Sequence, residues 1–416
     1  MPRDPAGSDD GVMATFPLCG ALRHEAAVRS LLEGCVSFVR ERLPPERLVA
    51  VVLTGSFARG EGSVASVPGG LKVLGDIEFF VVLARASDYR RLRPDMTTWG
   101  PIAAATLGAG RIRADLEFGP VHVGYLRHAS PSIFIHDLRR HGKVLWGPED
   151  LLEQMPPCEA EAIPREDALR LLLNRTVEQL EAYDRVASLP AEAVLDVAYQ
   201  QLKIVLDLAG SALAFSGRHS ASYAERPSRF ARLVRETPSL ERRLPAGFAG
   251  ELAQATAMKL APDDHDFTGP AGDTLAARRR ALREQIVGAV PAMMGLLHWE
   301  LDQLVGPGGD LDALLDRYLA AQSLTRRAWE WTKLIANPLP VPLPISATAA
   351  ARLFWRSTPR ALIYAAGARA YRALAGSSDV DPRGDGLPVT RAAWPRDPEA
   401  RRRAVVALWR WGVRNS

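Results

Sequence analysis

Apolar positions early in this chain alternate or fall in short blocks, and later they recur at helical spacing. A helix is expected from about Leu22 to Arg42, followed by a leucine- and valine-rich run of strand length from Leu48 to Leu53. Thr54-Gly55-Ser56 breaks that run, and a helical turn is expected to start at Ser56. Ile77 and Phe79 then alternate with Asp76 and Glu78, and the apolar stretch continues from Phe80 to Leu83, which reads as a second, largely buried strand. A third strand, Arg111 to Phe118 (RIRADLEF), places Arg113, Asp115 and Glu117 on one face and apolar residues on the other. Helical links over Ser87–Leu92 and Ile102–Leu107, a strand over Val121–Leu126, a helix over Pro131–His141 ended by Gly142, and a closing strand over Lys143–Trp146 complete an alternating α/β region. Beyond it strands nearly vanish. Leu169, Leu172, Leu173, Val177 and Leu180 keep helical spacing, as do Ala191–Phe215 and Tyr223–Arg235, which predicts a helical bundle.

Composition fits a chain of two or three domains. There are 416 residues, 47% of them apolar, enough for sizeable cores. Cys19, Cys35 and Cys158 are widely spaced, which excludes a zinc knuckle or a disulfide framework by pattern. The polar start MPRDPAGSDDG reads as a disordered tail rather than a signal sequence, and no apolar run reaches the ~18 residues of a bilayer span. A cytoplasmic protein is expected. The fold class is therefore α+β: a small mixed sheet with helices, then a helical bundle, then a basic helical C-terminal segment. Expected boundaries are a disordered tail over 1–20, a sheet domain over 21–150, a helical domain over 151–336, and a Pro-rich linker (Asn337–Pro344) opening a C-terminal segment over 337–416.

Charge is uneven along the chain. From Arg326 onward, fifteen Arg and one Lys face six Asp or Glu, a net of +10 against +4 for the whole chain, so the rest carries −6. That segment also holds Trp329, Trp331, Phe354, Trp355, Trp394, Trp409 and Trp411. The favoured roles for it are neutralising an acidic surface of its own protein or forming a plain solvated face, followed by lying on an anionic membrane surface and by binding nucleic acid.

The chemistry concentrates between Leu53 and Phe80. Asp76 and Glu78, one residue apart in a strand, project from one side, where two unpaired carboxylates repel each other. A divalent cation of the magnesium type (or manganese) relieves that repulsion. Gly55 and Ser56 open a turn whose backbone N–H groups suit phosphate oxygens. Two-metal phosphoryl chemistry needs a further carboxylate, and Asp115 is the candidate, with Glu117 on the same face able to replace it or to act as a base toward an acceptor hydroxyl. Gly60-Glu61-Gly62-Ser63-Val64-Ala65 formally matches a dinucleotide fingerprint but begins too far after the strand and carries an acid inside the phosphate turn.

Gly55-Ser56, Asp76-Ile77-Glu78 and Asp115 together resemble the polymerase β-like nucleotidyltransferase superfamily. The form GSFARGE is similar to that of its minimal members, and Asp-x-Glu to that of the kanamycin nucleotidyltransferase branch. The resemblance covers roughly Leu48 to Trp146, about a quarter of the chain. It implies a metal-dependent enzyme that moves a nucleoside monophosphate from a nucleoside triphosphate to a hydroxyl-type acceptor (a small molecule, a protein or an RNA end) and releases pyrophosphate. Asp76, Glu78 and Asp115 would then be catalytic and metal-binding, Gly55 and Ser56 would grip phosphates, and Arg59 and Lys203 would reach the triphosphate. Asn174, Arg175, Tyr183 and Tyr199 are candidates to line an acceptor cleft. The sequence departs from the family in spacing, with twenty positions (76 minus 56) between Ser56 and Asp76. The surplus, Gly62–Gly70, reads as a flexible loop over the site. The alternative is a catalytically inactive nucleotide-binding or adaptor protein that applies its basic C-terminus to a membrane surface or polyanion.

Overall fold

The computed structural model describes residues 18–19, 22–107, 112–264, 274–336, 347–376 and 397–414. The Pro-rich 337–344 stretch, Trp394, Arg111 and most of the 1–20 tail lie outside the described residues. The chain is mixed α+β and divides into two compact units.

The first unit contains the chain up to Ile163, Ser220–Glu225 and a return segment from Thr256. Its elements are α1 (Glu25–Arg42), β1 (Leu48–Leu53), α2 (Gly55–Ala58), β2 (Ser63–Val67), β3 (Gly70–Leu83), α3 (Ala86–Met96), α4 (Trp99–Leu107), β4 (Ile112–His122), α5 (Val123–Arg127), α6 (Ile133–His141) and β5 (Lys143–Trp146). The sheet is mixed. β1 lies antiparallel to both β3 and β5, β2 antiparallel to the first half of β3, and β4 parallel to β3. Strand alternation divides β3 between two cores: Ile77, Phe79, Val81 and Leu83 pack on one face with α1 and α4, and Phe80 and Val82 on the other with residues of α6. Asp76 and Glu78 share the parity of Phe80 and Val82, so they sit on the second face, at the strand end where that core stops.

Two local expectations are corrected. Gly62–Gly70 is not a loop over the site but the outer arm and turn of a hairpin, with Ser63 paired to Leu74 and Val67 to Gly70. Its Pro68-Gly69 corner has the Pro and positive-φ Gly (88°) of a type II turn, and the small, β-branched Ser-Val-Ala-Ser-Val sequence suits a strand despite its polar content. The stretch from Val121 is likewise not a separate strand. β4 continues through Pro120 to His122, and His122 then caps the short helix α5, its Nδ1 accepting from the Tyr125 N–H.

The domain boundary also moves. Segments from beyond residue 200 complete the sheet unit through polar contacts rather than apolar ones. Glu61 accepts from the Ser222 hydroxyl (2.7 Å) and from the N–H groups of Tyr223 (2.9 Å) and Ala224 (3.1 Å). Lys259, 1% exposed, donates to the Glu61 carbonyl (2.8 Å) and the Ser63 hydroxyl (2.7 Å). Asp263 accepts from the Ser66 N–H and hydroxyl and bonds His24 Nε2 at 2.8 Å. Burial pushes the Asp263 carboxyl up, but those Ser66 and His24 bonds outweigh it and hold it below the ordinary carboxylate range. Leu18 and Cys19, inside the expected tail, are buried, and the Leu18 carbonyl accepts from Gly62 N–H.

The second unit is helical: α7 (Arg165–Val186), α8 (Val194–Phe215), α9 (Arg226–Glu236), α10 (Pro238–Glu241), α11 (Phe248–Leu260, as far as Ala255), α12 (Leu275–Gly288), α13 (Val290–Val305), α14 (Leu311–Ala320), α15 (Leu324–Ala336), α16 (Ala347–Arg356), α17 (Pro359–Arg372) and α18 (Pro398–Trp409). α9 starts at Arg226, leaving Tyr223 in the preceding turn. The C-terminal helices α17 and α18 pack on α7 and are not a separate segment. Their cations pair with acids of the same unit: Arg369 with Asp312 and Asp316, Arg372 with Asp312, Arg402 with Asp184, and Arg410 with Glu181. Arg326 on α15 pairs with Glu166. Burial raises the Asp312 carboxyl, but Arg372 and Arg369 outweigh it and hold the group below its usual range. Among the described residues no helix is long and apolar enough to cross a membrane.

Candidate functional site

The candidate site forms where β1 ends and β3 emerges from its cores. β1 is a fully apolar strand that stops at Leu53, and Thr54 leaves it in an extended conformation to cap α2, which is only four residues long and begins at Gly55, not Ser56. The Thr54 N–H donates to the Glu78 carbonyl (2.9 Å) and its hydroxyl to Glu78 Oε2 (3.3 Å). Gly55 has φ of 68°, and a Cβ there would lie 2.9 Å from Glu78 Oε2. Only glycine accommodates both the left-handed backbone and the carboxylate against it. The Gly-Ser turn and the Asp-x-Glu strand are thus one construction, joined through Glu78.

Parallel pairing of β3 with β4 supplies the third acid. Asp76 is opposite Asp115, and Glu78 opposite Glu117, after a register shift in which β3 uses four positions (Lys72 to Asp76) where β4 uses two (Arg113 to Asp115). Carboxylate oxygens of Asp76, Glu78 and Glu117 all lie within 4.8 Å of one another, with Asp76 and Glu117 exposed and Glu78 half-buried. Asp115 is on the same face but is not one of this trio. The longer Glu117 side chain at the next face position takes the place expected for it.

The donor set is entirely oxygen and carries three formal negative charges at a water-accessible edge. An all-oxygen set of this kind could hold a hard divalent cation and does not resemble the nitrogen and sulfur sets of structural zinc.

The other expected ligands have the following surroundings. Arg59 is turned inward: its side chain is 9% exposed, its Nη1 is 3.5 Å from Asp137 Oδ2 on α6, its Nε is 3.8 Å from Glu61, and its guanidinium lies over the Tyr223 ring. It braces α2 instead of projecting into solvent. Lys203 is half-buried on α8 of the second unit, not on an element of the sheet unit. Asn174, Arg175, Tyr183 and Tyr199 are engaged by groups of their own unit. Asn174 Oδ1 accepts from Tyr364 and Trp409, Arg175 pairs with Asp207 and Glu178, Tyr183 lies between Arg283 and Arg402, and Tyr199 is buried.

Lys259 and Glu61, which hold the segment after α2 in place, were not singled out as a pair by sequence. The available signal was scarcity, because lysine occurs only at five positions in this arginine-rich chain and Lys259 is one of them. No family model, curated protein or solved structure matches the chain.

Proposed function

We propose that the sheet unit is a metal-dependent nucleotidyltransferase that transfers a nucleoside monophosphate from a nucleoside triphosphate to a hydroxyl-type acceptor. The observation that carries this reading is the double use of Glu78. Its carboxylate belongs to the three-acid cluster and also rests on the Gly55 turn, so a phosphate-binding turn and a cation-binding face are held side by side. A surface acid trio alone would be commonplace. A trio joined to a Gly-Ser turn that only glycine can form at the end of a buried strand supports phosphoryl chemistry specifically.

In this reading Asp76, Glu78 and Glu117 hold the divalent cations, which when bound neutralise triphosphate charge and lower the pKa of the acceptor hydroxyl. The Gly55-Ser56 turn presents N–H and hydroxyl donors to the outer phosphates and orients them away from the acceptor. The acceptor oxygen forms a bond to the α-phosphorus as the bond to pyrophosphate breaks. Its proton passes to a carboxylate on the exposed side of the cluster, where Glu117 is available. Positioning and charge neutralisation supply most of the rate. The third carboxylate lies with the pair instead of pointing away, which favours an enzyme over an inactive nucleotide-binding adaptor.

The test is pyrophosphate release from each of the labelled triphosphates with Mg2+ or Mn2+ and a panel of hydroxylated acceptors, repeated with Asp76→Ala. Metal-dependent release that Asp76→Ala abolishes is the expected result. Equal release by the variant would refute the assignment.

A further inference from the structure

After ion pairing within the helical unit is taken into account, the basic, Trp-rich region leaves a residue of a particular kind. Arg326, Arg369, Arg372, Arg402 and Arg410 are engaged by carboxylates, and Trp331 and Trp409 are buried, their indole N–H groups donating to the Ser357 carbonyl (3.0 Å) and Asn174 Oδ1 (2.8 Å). Two tryptophans are not absorbed. Trp329 on α15 is 68% exposed and Trp355 on α16 is 70% exposed. Large aromatics left this open on a folded surface are uncommon and mark a contact surface.

Their surroundings specify the chemistry of the contact. On α15, Thr325, Trp329 and Lys333 follow one another at four-residue spacing, with exposed Leu324 beside them, so one helical face carries an indole, an aliphatic group and an ammonium. On α16, Arg352 is exposed one helical turn before Trp355. The two helix faces are neighbours, because Arg327 on α15 donates to the Trp355 carbonyl at 2.6 Å and Trp331 reaches Ser357 just beyond α16. The acid of α15, Glu330, is half-buried and paired with Arg326. The exposed side chains of this pair of helices are therefore indole, aliphatic, cationic or the hydroxyls of Thr325 and Thr332, with no exposed carboxylate among the described residues.

We propose that α15 and α16 form a peripheral docking surface for an anionic lipid bilayer. Indoles partition to the boundary between headgroups and acyl chains, and flanking Lys and Arg side chains reach lipid phosphates and carboxylates. A soluble protein partner would require polar complementarity at the rim, whereas the described exposed charges of α15 and α16 are all cationic beside two indoles, the composition that a negatively charged interface receives. This surface belongs to the helical unit and is independent of the chemistry proposed for the sheet unit.

Flotation with vesicles of phosphatidylcholine alone, and with about 30% phosphatidylserine, tests the proposal using the full-length protein. The wild type is expected to float with the anionic vesicles, weakly or not at all with the neutral ones, and to be released by high salt. Trp329→Ser/Trp355→Ser should weaken anionic-vesicle binding at least about tenfold, and Lys333→Glu/Arg352→Glu by about fivefold or more for each charge changed. Both double variants alter exposed side chains, so an unchanged far-UV spectrum and melting temperature establishes that the fold is intact. No flotation of the wild type, or flotation unaffected by either double variant, overturns the proposal. So does Trp329-dependent binding to single-stranded RNA or Trp329-dependent self-association in the absence of vesicle binding, either of which would assign the surface to that partner instead.

Discussion

The two units place carboxylates against electrostatic ease in opposite ways. In the sheet unit, Asp76, Glu78 and Glu117 converge at an accessible edge, their oxygens within 4.8 Å of one another. In the helical unit, Glu300 on α13 stands alone and fully buried, close to Ser211 on α8. The Ser211 hydroxyl lies 2.9 Å from the Ala168 carbonyl and 2.7 Å from Glu300 Oε1. It has one proton to donate, and a carbonyl can only accept. Burial pushes the Glu300 pKa up to about 8, against the lowering effect of a hydrogen bond from Ser211, and this favours the neutral acid; with the proton on the carboxyl, the Ser211 hydroxyl can donate to Ala168 and accept from Glu300. A buried acid with no cation near it relieves its charge with a proton. The acids gathered at the wet edge instead present their carboxylate oxygens to water, where they could hold a cation. Where acids of the helical unit are paired, arginine is the partner, as at Asp312 and Glu166.

The largest effect that would break this comparison is at Asp76. If the cluster works through bound cations, Asp76→Ala lowers the rate of pyrophosphate release at least about 10³-fold. It should leave the melting temperature unchanged or raised, because an exposed, mutually repelling charge has been removed. Loss of activity together with loss of the fold would mean that the cluster is structural.

The next test separates the two acids of β4. Glu117→Gln is expected to reduce turnover about 10²-fold and to weaken Mn2+ binding, measured by calorimetry or by paramagnetic broadening. Asp115→Asn should change either quantity by less than about threefold. A reversal of that order would restore Asp115 as the third carboxylate. This choice was not legible in the sequence for a definite reason. Strand period puts both residues on one face, so selecting between them requires the β3/β4 register, and that register contains a shift between Lys72 and Asp76. By contrast, β1, the pairing of Asp76 with Glu78, and β5 follow from local pattern alone and fall where expected. The Gly62–Gly70 hairpin was obscured by loop-like composition, although its Pro-Gly corner is a turn signal. The clamp by Lys259 and Ser222 on the Glu61–Ser63 segment comes from some 160 to 200 residues away. Nothing in local periodicity reports a contact of that range.

A smaller effect is expected at Gly55, the point where turn and cluster meet. Gly55→Ala forces a left-handed backbone on a residue with a Cβ and brings that carbon to 2.9 Å from Glu78 Oε2. The strain costs about 1–3 kcal/mol of stability by urea denaturation. Displacement of Glu78 should weaken metal binding as well. A variant with full metal affinity would show that the turn and the acid trio are independent, and would remove the principal support for phosphoryl chemistry.

The gentlest test is in the helical unit and concerns the proton on Glu300. The folded-state pKa of about 8 lies above the ordinary value of 4.5, so the native state holds one more proton than the unfolded chain between those limits. The contribution of this group is then complete below about pH 4.5 and declines as pH rises toward 8, by about 1.4 kcal/mol per pH unit. Glu300→Gln abolishes that decline. Its amide N–H can donate to the Ser211 oxygen as the carboxylic proton does, while Ser211 continues to donate to Ala168. Wild type and variant should therefore have similar stability near pH 5 and diverge in favour of glutamine toward pH 8, as read from urea midpoints across that range. Parallel profiles for the two proteins would mean that Glu300 is already ionised in the fold, and the contrast between a protonated buried acid and a charged, cation-binding edge would not hold.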